Sequence, residues 1–265
     1  MPKRDLHSAC IAAAALLVAS ALTTVGLAAE SAADAPLEAR VDAYLRPYLD
    51  TGNFSGSILV ARKGEILLSK GYGKASLEHE VPNTPESVFH LASVSRIFTP
   101  AAILLLEQRG KISVDDPLSK YLPEWPRGDE ITIHHLMTLS AGFPNINSLP
   151  GYSDWAKSPQ TPQSLVEKFR DLPLEFEPGE RSVHSNSNYN VLALLIETIS
   201  GASYGEFLER EFFEPLGMTR TGHDADSAEV AHRARGYRPV GIADMAPHEG
   251  IHWSVKTGNG SIYST

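Results

Sequence analysis

Ser93 stands where a short apolar segment, ending at Leu91-Ala92, gives way to an apolar helix. Ile97, Ala101, Leu104 and Leu105 recur at helical spacing, and Gly110 ends the run just after Arg109. A serine in such a first turn has two uses. Its hydroxyl can cap the helix, because an oxygen there satisfies a free backbone N–H. It can also be a nucleophile aimed at a cleft and helped by the positive end of the helix. The residue alone leaves both open. A second pattern, His248-Glu249-Gly250-Ile251-His252, has the spacing of a zinc protease. That chemistry needs both histidines on one helix face. Pro247 precedes the run, Gly250 interrupts it and Trp253-Ser254-Val255 continues it without helical pattern, so no metal is expected there. His134 and His135 are adjacent and would point apart on a helix, which fits surface and packing roles.

The chain of 265 residues suffices for one large domain or two small ones. Its formal charge is −9, and no basic cluster follows the N-terminus, so nucleic-acid binding is not expected. Lys3 and Arg4 precede an apolar run, Ala9 to Ala21, and small residues follow at Gly26-Leu27-Ala28. This predicts a signal peptide over 1–28 cut after Ala28, export to the periplasm or medium, and no stable membrane span after cleavage. The only cysteine, Cys10, falls inside that signal, so the mature chain would have neither disulfide nor thiol chemistry.

The elements that must position Ser93 follow from pattern. Residues 29–36 read as a linker and 37–265 as the folded part. Leu37 to Leu49 is amphipathic, with Val41, Leu45 and Leu49 on one face. Phe54 to Ala61 and Glu65 to Gly71 read as a hairpin turning at Arg62-Lys63-Gly64. Pro100 either kinks the Ser93 helix or marks a fresh start capped by Thr99. Thr132 is the expected cap of a helix over Ile131 to Ser140. Asn145 to Gln163 is a long polar loop with aromatics, a candidate cleft wall. Asn190 to Ser200 is a strongly apolar helix stopped by Gly201, and Tyr204 to Leu216 is another.

Five blocks, in order, resemble the serine beta-lactamase-like hydrolases, a family of class C beta-lactamases, D-alanyl-D-alanine carboxypeptidases and esterases. They are Phe89-His-Leu-Ala-Ser93-Val-Ser-Arg-Ile-Phe-Thr99, Gly110 to Pro123, Ile131 to Phe143, Pro178 to Leu192, and Gly258-Asn-Gly-Ser-Ile-Tyr-Ser-Thr265. The resemblance implies an α+β fold of α/β-sandwich type, an antiparallel sheet flanked by helices beside a mostly helical region. It also implies that the family's last strands and third motif lie beyond Thr265, leaving the hairpin edge unpaired and the chain poorly soluble. The activity implied is acyl transfer on an amide or ester carbonyl through an acyl-enzyme on Ser93. No cofactor is implied. Substrates would be small molecules or peptides: a beta-lactam, a D-Ala-ended peptide or an ester.

The family's Ser-x-x-Lys and Tyr-x-Asn motifs map onto Ser93, Arg96, His184 and Asn186. Asn186 falls on the family's substrate-holding Asn. Arg96 replaces the lysine, and a guanidinium stays protonated at any working pH, so it cannot be the base. His184 replaces the tyrosine; a neutral imidazole is a good base for a serine. One reading is therefore a Ser93–His184 pair with Arg96 as electrostatic support. The other is an impaired homologue that binds cell-wall fragments or peptides. Lys256-Thr257-Gly258 spells the family's third motif, but it directly precedes a block that belongs well before that motif, and is taken as coincidence. Tyr189 is expected to pack rather than to act as the base.

Overall fold

The computed structural model describes residues 35–224, 230–241, 244–248 and 250–265. The predicted signal peptide and most of the linker lie outside them. The chain divides into two compact units at Pro85. In the first, α1 (Leu37–Asp50) buries Leu45. Lys70 ties it to the hairpin through Glu38 at 2.7 Å and Asp42 at 2.8 Å, and Tyr72 donates to Asp42 at 2.9 Å. Lys70, then Tyr72, hold the Asp42 carboxyl below the usual range. Strands β1 (Gly56–Arg62) and β2 (Glu65–Tyr72) pair antiparallel, as the pattern predicts. Lys63 and Gly64 turn with φ of 52° and 82°, the left-handed pair a two-residue hairpin requires. The hairpin leaves Leu59 and Ile66 61% exposed, and among the described residues β1 and β2 pair only with each other. Short strands β3 (Lys74–Ser76) and β4 (Val81–Pro82) close the unit.

The second unit begins with β5 (Phe89–His90), which runs into a 3₁₀ turn over Ala92–Ile97 and then α2 (Phe98–Gln108). The one helix expected from Ser93 is thus two. Pro100 lies in the first turn of α2, where a missing N–H leaves no bond unmade. The buried face also differs from the expected one. It holds Thr99, Ala102, Ile103 and Leu106, whereas Ile97 and Leu104 are 64% and 48% exposed. The helix is apolar nearly all round, so spacing does not select a face. Thr99 is buried because its hydroxyl is satisfied, by the Gly258 carbonyl at 2.6 Å and the Tyr204 hydroxyl at 2.7 Å.

Three short helices begin with reciprocal caps. These are α3 (Ile133–Met137), capped by Thr132 and His135; α5 (Pro162–Val166), capped by Thr161 and Ser164; and α7 (Tyr204–Leu208), capped by Ser203 and Glu206. Thr132→Ala removes one such cap and lowers stability by about 1 kcal/mol, read as a shift in the urea midpoint. The expected cleft-wall loop is partly ordered into a 3₁₀ turn, Ile146–Ser148, and α4 (Tyr152–Trp155). Helix α6 (Ser187–Ser200) starts three residues before the expected Asn190 and buries every side chain from Ser187 to Ile196. Gly201, at φ 72°, ends it. Among the described residues no single helix is long and apolar enough to cross a membrane.

The remaining strands are β6 (Gly222–His223), β7 (Tyr237–Pro239), β8 (Met245–Pro247) and β9 (Ile262–Ser264). They form a three-stranded antiparallel sheet of order β5-β9-β6 and a β7-β8 hairpin. Among the described residues the zinc-protease pattern has no helix to act on. It begins just after β8, Glu249 lies outside the described residues, and His252 instead caps the 3₁₀ turn Trp253–Lys256.

Candidate active site

Strand β9 determines where Ser93 stands. It pairs with β5 through Phe89↔Ser264 and His90↔Tyr263, and Ile262 accepts from the Leu91 N–H at 2.8 Å. The Ile262 N–H in turn donates to the Ser95 hydroxyl at 3.1 Å. Between these two bonds the chain turns abruptly, with Ala92 at φ 46°. A left-handed alanine costs on the order of 1 kcal/mol and persists only where neighbours enforce it. The consequence is that Ser93 is exposed while Ser95, two residues on, is fully buried. Ser95→Ala leaves the Ile262 N–H without its partner and lowers stability by about 1–3 kcal/mol in a denaturant titration.

The glycine-rich segment forms the floor. Gly258 has φ 86°, and a Cβ there would lie 2.1 Å from the Tyr189 carbonyl oxygen. Its own carbonyl accepts from Thr99 on α2, and the Thr257 carbonyl accepts from Asn190 of α6 at 2.8 Å. The segment therefore passes between α2 and α6 at backbone distance, which only glycine allows.

Three of the residues singled out by sequence come together. The Arg96 guanidinium donates to His184 Nε2 at 2.8 Å and to Asn186 Oδ1, and lies 5.1 Å over the Tyr189 ring. A guanidinium only donates, so His184 Nε2 is the acceptor and the neutral ring carries its proton on Nδ1. Burial pulls the Arg96 guanidinium below its usual value, though not far enough to discharge it. Among the described residues its hydrogen-bond partners are neutral, its Nε is buried without a partner, and no ion pair includes it. The loop before α4 supports this group. Asn145 Oδ1 accepts from the Asn186 N–H at 3.1 Å, and the Ile146 N–H donates to the Ser187 hydroxyl at 2.9 Å.

The same loop brings in Asn147 and Tyr152, which carry no motif, and with them Lys256. Asn147 Oδ1 accepts from Lys256 Nζ at 3.1 Å, and Nζ lies 5.1 Å over the Tyr152 ring. The Tyr152 hydroxyl is buried without a hydrogen-bond partner among the described residues. Burial, then the nearby Arg96 charge, pull Lys256 down to about 8. Lys256 heads the Lys256-Thr257-Gly258 run, which chain order marks as a coincidence. A cavity of about 780 Å³ lined by Ser203, Glu206, Arg210, His223 and Tyr263 includes none of Ser93, Arg96, His184 or Asn186.

A family model described as Beta-lactamase matches residues 41–265. The chain belongs to that family. PbpX of Bacillus subtilis (strain 168) is 32% identical over 201 residues, 76% of this chain and 49% of its own length. Penicillin-binding protein 4* of the same strain is 33% identical over 190 residues, 69% of this chain and 42% of its own. The chain thus spans about half the length of the curated relatives it matches. Among solved structures, FmtA from Staphylococcus aureus matches with a TM-score of 0.74 at 26% identity, over 85% of this chain and 60% of that one. The mixed helix and antiparallel-sheet architecture expected from the five blocks is the one these neighbours share.

Proposed function

We infer that this member of the Beta-lactamase family performs acyl transfer, with Ser93 Oγ attacking an amide or ester carbonyl. The observation that supports it most is the left-handed Ala92 turn, which exposes Ser93 at the mouth of a helix while β9 locks the residues on either side. Arg96 supplies a fixed positive charge for the oxyanion that develops on the carbonyl. Asn186 has its Oδ1 engaged by Arg96, and its Nδ2, which no bond among the described residues holds, would donate to a substrate carbonyl. His184 enters as a base only when Nε2 leaves Arg96; in the geometry described it orients that guanidinium. Two of the relatives are named for penicillin binding, which supports a beta-lactam as a ligand of this site. Lys3, Arg4 and the apolar run after them support export.

A second reading, a protein that binds such ligands without turnover, is favoured by one observation: the Ser-x-x-Lys position holds a cation that cannot accept a proton. Release of product from a chromogenic cephalosporin and from p-nitrophenyl acetate separates the two. An enzyme gives a burst matching one equivalent of protein, then a steady rate. Saturable binding with no released product establishes the second reading instead.

A further inference from the structure

We propose that Lys256 is the group that takes the Ser93 proton, supplying from the glycine-rich segment the amine that the Ser93–Arg96 turn lacks. This rests on the acyl-transfer reading above. Its first support is place. A Cβ on Gly260 would lie 3.4 Å from Lys256 Cβ and 3.4 Å from the carbonyl carbon of Ala92, so the two flank one glycine. Lys256 therefore leaves the floor beside the peptide that carries Ser93.

Its second support is the company the amine keeps. Nζ contacts the Asn147 side-chain oxygen and the Tyr152 ring, and none of the ion pairs among the described residues includes Lys256. A lysine bound to a carboxylate is held charged; one among neutral partners is free to give up its proton. The charged and titratable groups facing it are Arg96, from the 3₁₀ turn, and Tyr152, from α4. Arg96 repels the ammonium, and burial raises the Tyr152 phenol so that it stays neutral. Together with desolvation this brings the amine to about 8, close to where a general base works well. The competing imidazole has its Nε2 lone pair occupied by Arg96.

The step is a proton relay. Neutral Nζ takes the proton as Ser93 Oγ bonds to the carbonyl carbon. The ammonium returns it to the leaving oxygen or nitrogen as that group's bond to carbon breaks. In the second half, Nζ takes a proton from water as the water oxygen bonds to the acyl carbon, and the proton passes to Ser93 Oγ as the ester breaks.

The test uses the full chain and p-nitrophenyl acetate over a range of pH. The wild-type kcat/KM rises with pH through about 8 and then levels. A single rise near the ordinary imidazole value of about 6.5 overturns the proposal without any variant. Lys256→Met lowers kcat/KM by about 10²–10⁴-fold at unchanged circular dichroism. Lys256→Cys alkylated with bromoethylamine, which rebuilds an amine of similar reach, recovers most of the loss. Lys256→Met at the wild-type rate overturns the role of Lys256 and leaves Ser93 standing. A folded wild type that acylates nowhere overturns both.

Discussion

Replacing Ser93 with alanine lowers product release from p-nitrophenyl acetate by about 10³-fold or more, while the unfolding free energy stays within about 0.5 kcal/mol of wild type. The two halves of this result belong together. The side chain is exposed, so its hydroxyl is not part of the core. What holds the turn is the backbone pairing of Leu91 with Ile262 and the Ser95 hydroxyl on the Ile262 N–H, neither of which the substitution touches. A serine that served mainly as a helix cap would behave in the opposite way, with stability falling by about 1 kcal/mol and activity unchanged. Among the described residues Ala92–Ile97 has no side-chain cap, which fits the nucleophile role proposed for that hydroxyl.

Gly258→Ala is the substitution with the largest expected effect on the fold. A methyl group there meets the Tyr189 carbonyl oxygen at 2.1 Å and the Ala193 side chain at 3.0 Å, on a backbone already at φ 86°. Neither the carbonyl nor α6 can yield without breaking the contacts of a helix buried over most of its length. The variant loses about 3–5 kcal/mol, or fails to fold, in a urea titration followed by circular dichroism. Thr257→Ser is the companion control. It keeps the hydroxyl that donates to the Ser254 carbonyl at 2.7 Å and loses only a methyl group, at a cost of about 1 kcal/mol.

These two expectations show what was legible in the sequence and what was not. Ser93, Arg96, His184 and Asn186 were picked by motif, and the fold joins the last three by direct hydrogen bonds. The hairpin, the Thr132 cap and the Gly201 stop were legible because each depends on a few neighbouring residues. The buried face of α2 was not. Ile97 and Leu104 are as apolar as Ile103 and Leu106, and which side is covered depends on distant segments, Gly258 against Thr99 among them. The surroundings of Lys256 were not legible for a related reason. Chain order argued against it, but a segment that runs between α2 and α6 brings its first residue to Arg96 whatever motif it spells.

The departure of Arg96 from the family pattern gives the site its character. A lysine at that position would share a hydrogen bond and a proton with its neighbours, whereas the guanidinium gives only a fixed charge. That charge orients His184 and Asn186, lies on Tyr189 and lowers Lys256. The acyl transfer proposed above then needs a proton acceptor outside the turn, and Lys256, whose Cβ lies beside Gly260, is the residue proposed for it.

The most direct measurement is the intact mass of the folded chain after incubation with a fluorophosphonate probe, followed by peptide mapping, beside a Ser93→Ala control. The account predicts one adduct per chain, located on Ser93, forming faster as the pH is raised through about 8, and absent from the control. A cooperatively folded chain that forms no adduct, or one that is modified equally in the control, contradicts it.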